Sequence, residues 1–430
     1  MNKLFPGYYR PSAPDFRRIW SRCVFILDAN VLLSVYRYTP PTRKELISIL
    51  NHVSHRLWVP HQAAFEYQRN RLAVIAHQIN AYERLKAVLT QSRDDLRSRL
   101  AQEVSRHPYI DLSQLVSDTD KFYGDQQAAV DELKLKHPAI LSGDPLTSDR
   151  YRTQVDQLLD GKIGDAFSAA RKEEICKLGK ERYSSQTPPG FADAAKPGND
   201  QYGDLLIWFQ ILDKAKEAES PVILVTDERK EDWWWRFQGK TLGPRPELVA
   251  EMRQYSGQDF YMYQVDQFME HAREYLESKV PEAALEEIRQ FRKREEQYAH
   301  QLRRRLAILA RDPRRLSPSE LSPLARSIMA SGMRPQDLQR MFAHYPENLA
   351  PLADTLYHLT GDPRWLTLTP LGRETLHHHE PPAGSPSWLQ GLAHNEPTHT
   401  QALSDLDVPD WILKMTPPEE GGMDPDSEDQ

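Results

Sequence analysis

Cys23-Val24-Phe25-Ile26-Leu27-Asp28-Ala29-Asn30 is the stretch of sequence that decides the fold. Its first five residues are apolar without alternating polar residues, which is typical of a strand buried on both faces. The runs Leu57–Val59, Val222–Thr226 and Phe260–Val265 have a similar β-prone character, and helical patterns separate them. Because strands joined by helical crossovers run parallel, these runs predict a three-layer α/β/α sandwich with a central parallel sheet.

Helical and loop patterns interrupt the sheet-forming part of the chain. From about residue 71 to residue 183 apolar residues recur at helical spacing with no strand pattern, which predicts a helical insertion. The segment 184–200 holds Pro188-Pro189-Gly190 and Pro197-Gly198, which predict a loop. The sheet, the insertion and this loop belong to one predicted domain over residues 1–275.

The strand pattern ends after Val265, and the rest of the chain predicts a mainly helical C-terminal region. We expect a helical module over residues 276–375, whose first helix begins at Pro281 and ends near Arg311. A further helix start is expected at Ser317–Glu320. Over residues 376–430 acidic residues, proline and histidine dominate, which predicts a disordered tail.

Composition narrows the class of protein. The chain has 430 residues, of which 39% are hydrophobic and 27% charged, so it has enough apolar mass for a sizeable core. Two cysteines, Cys23 and Cys176, are too few for a disulfide framework or a four-cysteine zinc site. No run approaches the roughly 20 apolar residues of a membrane helix, and the start lacks the apolar segment of a secretory signal. We therefore expect a cytoplasmic protein without a membrane partner.

The formal charge of −7 at first argues against a nucleic-acid partner, but it is unevenly distributed. Residues 376–430 contain eleven acids and one base, so the remaining chain has 54 basic and 51 acidic residues. Ten of the basic residues lie between Arg289 and Arg315. This stretch is typical of a solvated helix face, with contact to nucleic acid as the alternative reading. The body of the protein is therefore compatible with a polyanionic partner.

Four acids lie at the ends of predicted strands and helices that face one edge of the sheet. Asp28 and Asp227 come directly after two of them, where α/β folds place ligands. Glu66 falls in the helix after Leu57–Val59, and Asp204 falls in the first turn of the helix before Val222. Clustered carboxylates repel one another unless a cation neutralises them, and hard oxygen ligands suit Mg²⁺ or Mn²⁺. The pattern predicts a divalent-cation site, although each acid alone is equally consistent with a turn, cap or surface residue.

Six blocks carry a resemblance to a known family, and they span roughly residues 1–270 in that family's order. They are Phe5–Pro11, Phe25–Leu33 with Tyr36-Arg37-Tyr38, Trp58-Val59-Pro60 with Phe65-Glu66 and Asn70-Arg71, Pro188–Phe191 with Asp193 and Lys196, Tyr202-Gly203-Asp204 with Trp208, and Val225–Trp234. Together they resemble PIN-domain nucleases, in particular the bacterial PIN-like branch with a large helical insertion.

The resemblance implies a metal-dependent phosphodiesterase. Asp28, Glu66, Asp204 and Asp227 would be its catalytic, metal-binding acids, with Asn30 and Thr226 orienting ligands or water beside them. Mg²⁺ or Mn²⁺ would activate a water for in-line attack on a backbone phosphate, leaving 5′-phosphate and 3′-hydroxyl ends. Glu228 stands where the family commonly has a second aspartate, which leaves open whether Asp227 or Glu228 binds metal, with Asp227 preferred. Asp193 is a further candidate ligand.

The implied function is an endoribonuclease, with single-stranded or flapped DNA as the alternative substrate. An appended C-terminal module is typical of a gated toxin or anti-phage effector, and this module is the expected site for a regulatory partner or a second copy. The non-enzyme alternative is a degenerate PIN fold that binds RNA or acts as a scaffold. A haloacid-dehalogenase-like phosphatase fits less well, because it requires Asp-x-Asp and position 30 is Asn.

Two further features have competing readings. The run Trp233-Trp234-Trp235 either stacks on bases or closes the edge of the core. Arg71 lies five residues after Glu66, where it would either meet phosphate or form a surface ion pair.

Overall fold

The structure is a computed structural model of the whole chain. It describes residues 1, 4–107, 109–136, 146–194, 201–311, 321, 324–325, 327–328, 338–339, 341–342, 349–360, 365 and 368. The predictions for Lys196 and Pro197-Gly198, for a helix start at Ser317–Glu320 and for the tail over 376–430 lie outside the described residues. The chain divides into two compact units, Met1–Glu296 and Gln297–Gln430.

Among the described residues of the first unit, six strands form two sheets. Their bounds are β1 (Val24–Leu27), β2 (Leu57–Trp58), β3 (Val222–Val225), β4 (Trp234–Phe237), β5 (Lys240–Pro244) and β6 (Phe260–Tyr263). The main sheet is parallel throughout, in the order β2-β1-β3-β6. All four predicted strands are therefore confirmed, and the register pairs Leu27 with Val225 at the carboxyl edge. The antiparallel β4–β5 hairpin was not predicted.

The helices of the first unit cover both faces of this sheet. Their bounds are α1 (Ala13–Arg22), α2 (Ala29–Ser34), α3 (Pro40–His52), α4 (His61–Ile79), α5 (Ala81–Val104), α6 (Ser113–Lys136), α7 (Arg150–Leu159), α8 (Ala169–Ser184), α9 (Gly203–Ala218), α10 (Pro246–Ser256), α11 (Val265–Tyr275) and α12 (Glu282–Arg311). On one face Trp20 of α1 contacts Phe25 and Phe268, and on the other Trp208 of α9 contacts Phe260. The predicted three-layer α/β/α sandwich is confirmed.

The predicted insertion is helical, and its longest part is an antiparallel pair, α5 and α6. Exposed ion pairs such as Lys86–Asp131 and Lys134–Glu83 connect these two helices, and neither helix has a buried residue. After α7 the chain returns to the sheet, where Ile163 forms a parallel bridge with Val59 beside β2. The insertion therefore leaves and rejoins the sandwich at its β2 edge.

A buried ion pair connects the insertion to the sandwich. Arg71 of α4 contacts Asp149, the residue that caps α7, and both side chains are almost fully buried. Asp149 also accepts a 2.7 Å hydrogen bond from the hydroxyl of Tyr36. Of the two sequence-based readings of Arg71, the ion pair is present but buried rather than at the surface, and the side chain is not open to phosphate.

Helix α12 confirms the predicted helix from Pro281 to about Arg311. In the first unit Leu285 and Ile288 belong to the main core. In the second unit Leu302, Leu306 and Leu309 pack in a separate core, which includes residues of a helix over Ala350–Thr360. No helix in the described part of the chain is both long and apolar enough to cross a membrane.

Candidate active site

Asp28 lies at the junction of β1 and α2, at the carboxyl edge of the sheet. It is the N-cap of α2, and its Oδ1 accepts a 2.6 Å hydrogen bond from the backbone N–H of Ala29. Aspartate is a preferred N-cap because its carboxylate accepts from an amide that has no partner within the helix. Its Oδ2 accepts from the Thr226 hydroxyl at 2.7 Å and from Asn30 Nδ2 at 2.7 Å. The carboxylate is thereby fixed by β1, α2 and the end of β3.

Asn30 and Thr226 cross-link the ends of β1 and β3. The Asn30 amide donates to Thr226 Oγ1 at 3.2 Å, and its Oδ1 accepts from the Asp227 backbone N–H at 3.0 Å. Thr226 Oγ1 also accepts from the backbone N–H of Glu228 at 2.9 Å. The resemblance implies that these two residues orient ligands, and their observed partner is the Asp28 carboxylate.

Glu66 and Asp204 come from two helices that pack closely, α4 and α9. Gln62, one turn before Glu66, donates to Glu66 Oε1 at 3.0 Å. A Cβ built on Gly203 would lie 2.8 Å from the same oxygen, so the absence of a side chain at Gly203 lets Glu66 approach the start of α9. Asp204 is the next residue, in the first turn of α9, where the helix dipole favours an acid.

The carboxylate of Asp28 is electrostatically coupled to three other acids. Burial raises the pKa of Asp28 to about 7, against the hydrogen bond from Thr226, and the charges of Glu66, Glu228 and Asp204 raise it further. Like charges disfavour ionisation, so this group favours either a retained proton or a neutralising cation. Three of the four predicted metal-binding acids, Asp28, Glu66 and Asp204, are therefore brought together.

The fourth predicted acid, Asp227, faces a different environment. Its Oδ1 accepts from the backbone N–H of Val265 at 3.5 Å. Burial raises the pKa of Asp227 to about 6, while Arg229 and Arg292 lower it. The charge of Glu228 contributes to the raised pKa of Asp28, and Glu228 contacts Lys230, as Asp204 does. The preference for Asp227 over Glu228 is thus not what the geometry favours.

A lysine that the sequence analysis did not select lies among these acids. Lys230 Nζ is 2.9 Å from Asp204 Oδ2, 2.9 Å from Asp193 Oδ2 and 3.1 Å from Glu228 Oε2. Asp193 belongs to a short 3₁₀ turn after the Pro188-Pro189-Gly190 loop. The sequence feature that could have identified Lys230 as a site residue is its position in the Val225–Trp234 block, two residues after Glu228.

Asp232 and the tryptophans after it have structural roles. Asp232 is fully buried and accepts backbone hydrogen bonds from Gly190 at 2.8 Å and Ala192 at 3.0 Å, which holds the loop that carries Asp193. Trp233 and Trp234 are buried, and Trp234 Nε1 donates to the Glu228 carbonyl at 2.6 Å. The reading that these tryptophans close the edge of the core is confirmed for both.

A cleft of about 200 Å³ adjoins the acids through Asn30 and Glu228. Three arginines line it together with Tyr38, Asp227 and Phe291. Arg229 pairs with Glu295, and Arg292 pairs with Asp266. Within the part of the chain that the structure describes, the guanidinium of Arg37 makes no hydrogen bond or ion pair. Arg37 is therefore the arginine whose charge is available to an anion in this cleft.

The donor set suits a hard divalent cation, although no three His, Cys, Asp or Glu side chains of the described residues already converge as metal ligands. Asp28, Glu66, Asp204 and Glu228 offer only carboxylate oxygens, which Mg²⁺ and Mn²⁺ prefer. Their mutual repulsion raises the pKa of Asp28, and a cation would relieve it. On these two observations the residues fit such an ion.

Comparison with known proteins gives one match. A family model described as "PIN like domain" matches residues 24–248, which is more than half of the chain and includes every acid of the site. No curated protein and no solved structure matches the chain significantly.

Thr226→Val should destabilise the protein by about 1–3 kcal/mol, because it removes a hydroxyl that joins Asp28, Asn30 and Glu228 and leaves their polar groups short of a partner. Thr226→Ser keeps the hydroxyl and is the matched control. Urea unfolding of both variants measures the difference. Equal unfolding free energies for Thr226→Val and Thr226→Ser would show that this hydroxyl does not hold the strand ends together.

Proposed function

The chain belongs to the PIN-like domain family, and on that premise we propose that it is a divalent-metal-dependent nuclease that hydrolyses phosphodiester bonds in RNA. One observation carries the proposal: carboxylates from four separate elements meet at the carboxyl edge of the sheet. They are Asp28 after β1, Glu66 in α4, Asp204 in α9 and Glu228 after β3. A cluster that raises the pKa of its own central carboxylate is more typical of a functional site than of a structural one.

We propose that Asp28, Glu66, Asp204 and Glu228 hold Mg²⁺ or Mn²⁺. When bound, such an ion supplies Lewis acidity toward a phosphate oxygen and lowers the pKa of a water molecule. Thr226 and Asn30 hold the Asp28 carboxylate in one orientation from two sides. Gln62 and the bare backbone of Gly203 position Glu66 at the start of α9.

The cleft beside the acids is the proposed binding surface for the nucleic-acid backbone. Arg37 lies between two buried tyrosines, Tyr36 and Tyr38, which restrict the backbone that carries it. Guanidinium groups recognise phosphate through paired N–H donors. Arg37 would thus contact a backbone phosphate while the neighbouring phosphodiester lies at the acids.

The proposal also includes a substrate class and a cellular role. RNA is preferred to single-stranded or flapped DNA, on the family resemblance of the blocks around Asp28 and Asp227. The second compact unit, beginning at Gln297, is the proposed place for a trigger or partner that gates the nuclease, as in a cytoplasmic toxin or anti-phage effector.

Cleavage of labelled single-stranded RNA and DNA in Mn²⁺ tests this function. We expect the wild type to cut RNA and to stop in EDTA, and Asp28→Asn and Glu228→Gln to lose at least about 100-fold in rate, as substitutions at metal centres do. Asp227→Asn is the matched comparison, because its carboxylate accepts from the Val265 N–H and lies near the charges of Arg229 and Arg292, and we expect it to retain most of the activity.

Each other result has a defined meaning. Cutting that persists in Asp28→Asn comes from another site or a contaminant, and it overturns the assignment of this centre. RNA binding without cleavage in the wild type favours the RNA-binding or scaffold alternative. Cleavage of DNA but not RNA would support the nuclease assignment and change the proposed substrate to DNA. A loss in Asp227→Asn that matches the loss in Asp28→Asn would restore Asp227 as a ligand.

Arg37→Ala should weaken RNA binding and lower the slope of log Kd against log salt concentration by about one, as expected when one phosphate contact is lost. Arg22→Ala is the control, because Arg22 is exposed at the end of α1, before the amino end of β1 and away from the acids. Fluorescence anisotropy at several salt concentrations, with Asp28→Asn as background to prevent cleavage, measures both. An unchanged slope in Arg37→Ala would remove this residue from the binding surface.

A further inference from the structure

Lys230 uses one ammonium to contact three carboxylates from three parts of the chain. Asp193 comes from the 3₁₀ turn, Asp204 from the first turn of α9 and Glu228 from the segment after β3. The side chain of Asp193 is 2% exposed, and a carboxylate this buried is stable only when it is paired. An ammonium is a compact charge with three donors. Here it donates hydrogen bonds to Asp193 and Asp204 and forms an ion pair with Glu228.

Glu228 is positioned to face this ammonium. Its Oε1 accepts from the backbone N–H groups of Arg229 at 2.7 Å and Lys230 at 3.0 Å, while its Oε2 faces the ammonium at 3.1 Å. The backbone thus holds one oxygen of Glu228 and directs the other to Lys230. The same carboxylate raises the pKa of Asp28, so Glu228 interacts both with the ammonium and with Asp28.

Phosphodiesterases with two divalent ions place them about 3.5–4 Å apart, each held by carboxylate oxygens. In this chain the carboxylates of Asp193, Asp204 and Glu228 already surround a positive charge. We propose that Lys230 is a built-in cation that replaces a second divalent ion, so that the centre binds one ion, on the Asp28 and Glu66 side. This inference rests on the proposed metal dependence, and it assigns Lys230 a positioning role for Asp204 and Glu228.

Mn²⁺ titration of the metal-free protein, followed by the electron paramagnetic resonance signal of free Mn²⁺, counts the ions directly. We expect one bound ion in the wild type and two in Lys230→Met, because the substitution removes the positive charge that these three carboxylates contact. Lys230→Arg keeps the charge and should return the count to one. Lys177→Met, on an exposed lysine paired with Glu173, is the control for the loss of a surface ion pair.

Thermal unfolding gives an independent readout that a merely structural role for Lys230 would not produce. Lys230→Met should unfold at a lower temperature than the wild type in EDTA, and Mn²⁺ should recover most of that difference. In Lys230→Met/Asp193→Asn the second ion should be lost again, because one of its three carboxylates is gone. If Lys230→Met does not fold in EDTA, Lys230→Gln replaces it, since its amide keeps donors beside the acids without the charge.

Several results overturn the inference. They are two ions in the wild type, a single ion in both neutral variants, or a second ion that survives in Lys230→Met/Asp193→Asn. Failure of the nuclease proposal would give a different set of results from failure of this inference. A wild type that binds one Mn²⁺, gains a second in Lys230→Met and cuts neither RNA nor DNA refutes the nuclease alone. Absence of Mn²⁺ binding in every variant refutes both.

Discussion

The hydrogen bond from Thr226 to Asp28 is the interaction on which the site depends. It spans 2.7 Å between the residues that follow β1 and β3, two strands that are neighbours in the sheet. Because parallel strands place their carboxyl ends at one edge, residues nearly 200 positions apart in sequence meet there. The side chain of Asn30 donates to Thr226 Oγ1 and accepts from the backbone N–H of Asp227, and the backbone N–H of Glu228 donates to Thr226 Oγ1.

The electrostatic cost of this arrangement explains how the rest of the site is built. Burial raises the pKa of Asp28 to about 7, and the charges of Glu66, Glu228 and Asp204 add to that rise. Lys230 places a positive charge among Asp193, Asp204 and Glu228. Sites that keep such unfavourable negative charge commonly do so for function, at the expense of stability. In the proposed centre, the ammonium of Lys230 takes the place of a second divalent ion.

The sequence predicts the framework well because burial leaves a strong pattern. Each of the four parallel strands is a short apolar run, and the acids adjoin their ends. The β4–β5 hairpin is not predictable from the sequence because Trp234–Phe237 mixes buried and exposed residues. The buried ion pair of Arg71 is not predictable because its partner Asp149 is 78 residues away. Choosing between Asp227 and Glu228 requires the direction of successive side chains. Thr226 still donates its N–H to the β6 residue Tyr263, at 3.0 Å, but the chain leaves the strand after it. Beyond that point the directions of Asp227 and Glu228 depend on tertiary contacts: the Asp227 carboxylate accepts from the Val265 N–H, and the Glu228 carboxylate lies beside Lys230.

The central claim is that Asp28, rather than Asp227, is at the centre of a cation-binding group. Anomalous diffraction from crystals of the full chain soaked in Mn²⁺ tests it most directly. The account predicts one anomalous peak in contact with the carboxylate of Asp28, and no second peak at the position that the Lys230 ammonium occupies. A peak at Asp227 in the cleft lined by Arg37, or two peaks flanking Lys230, would contradict it.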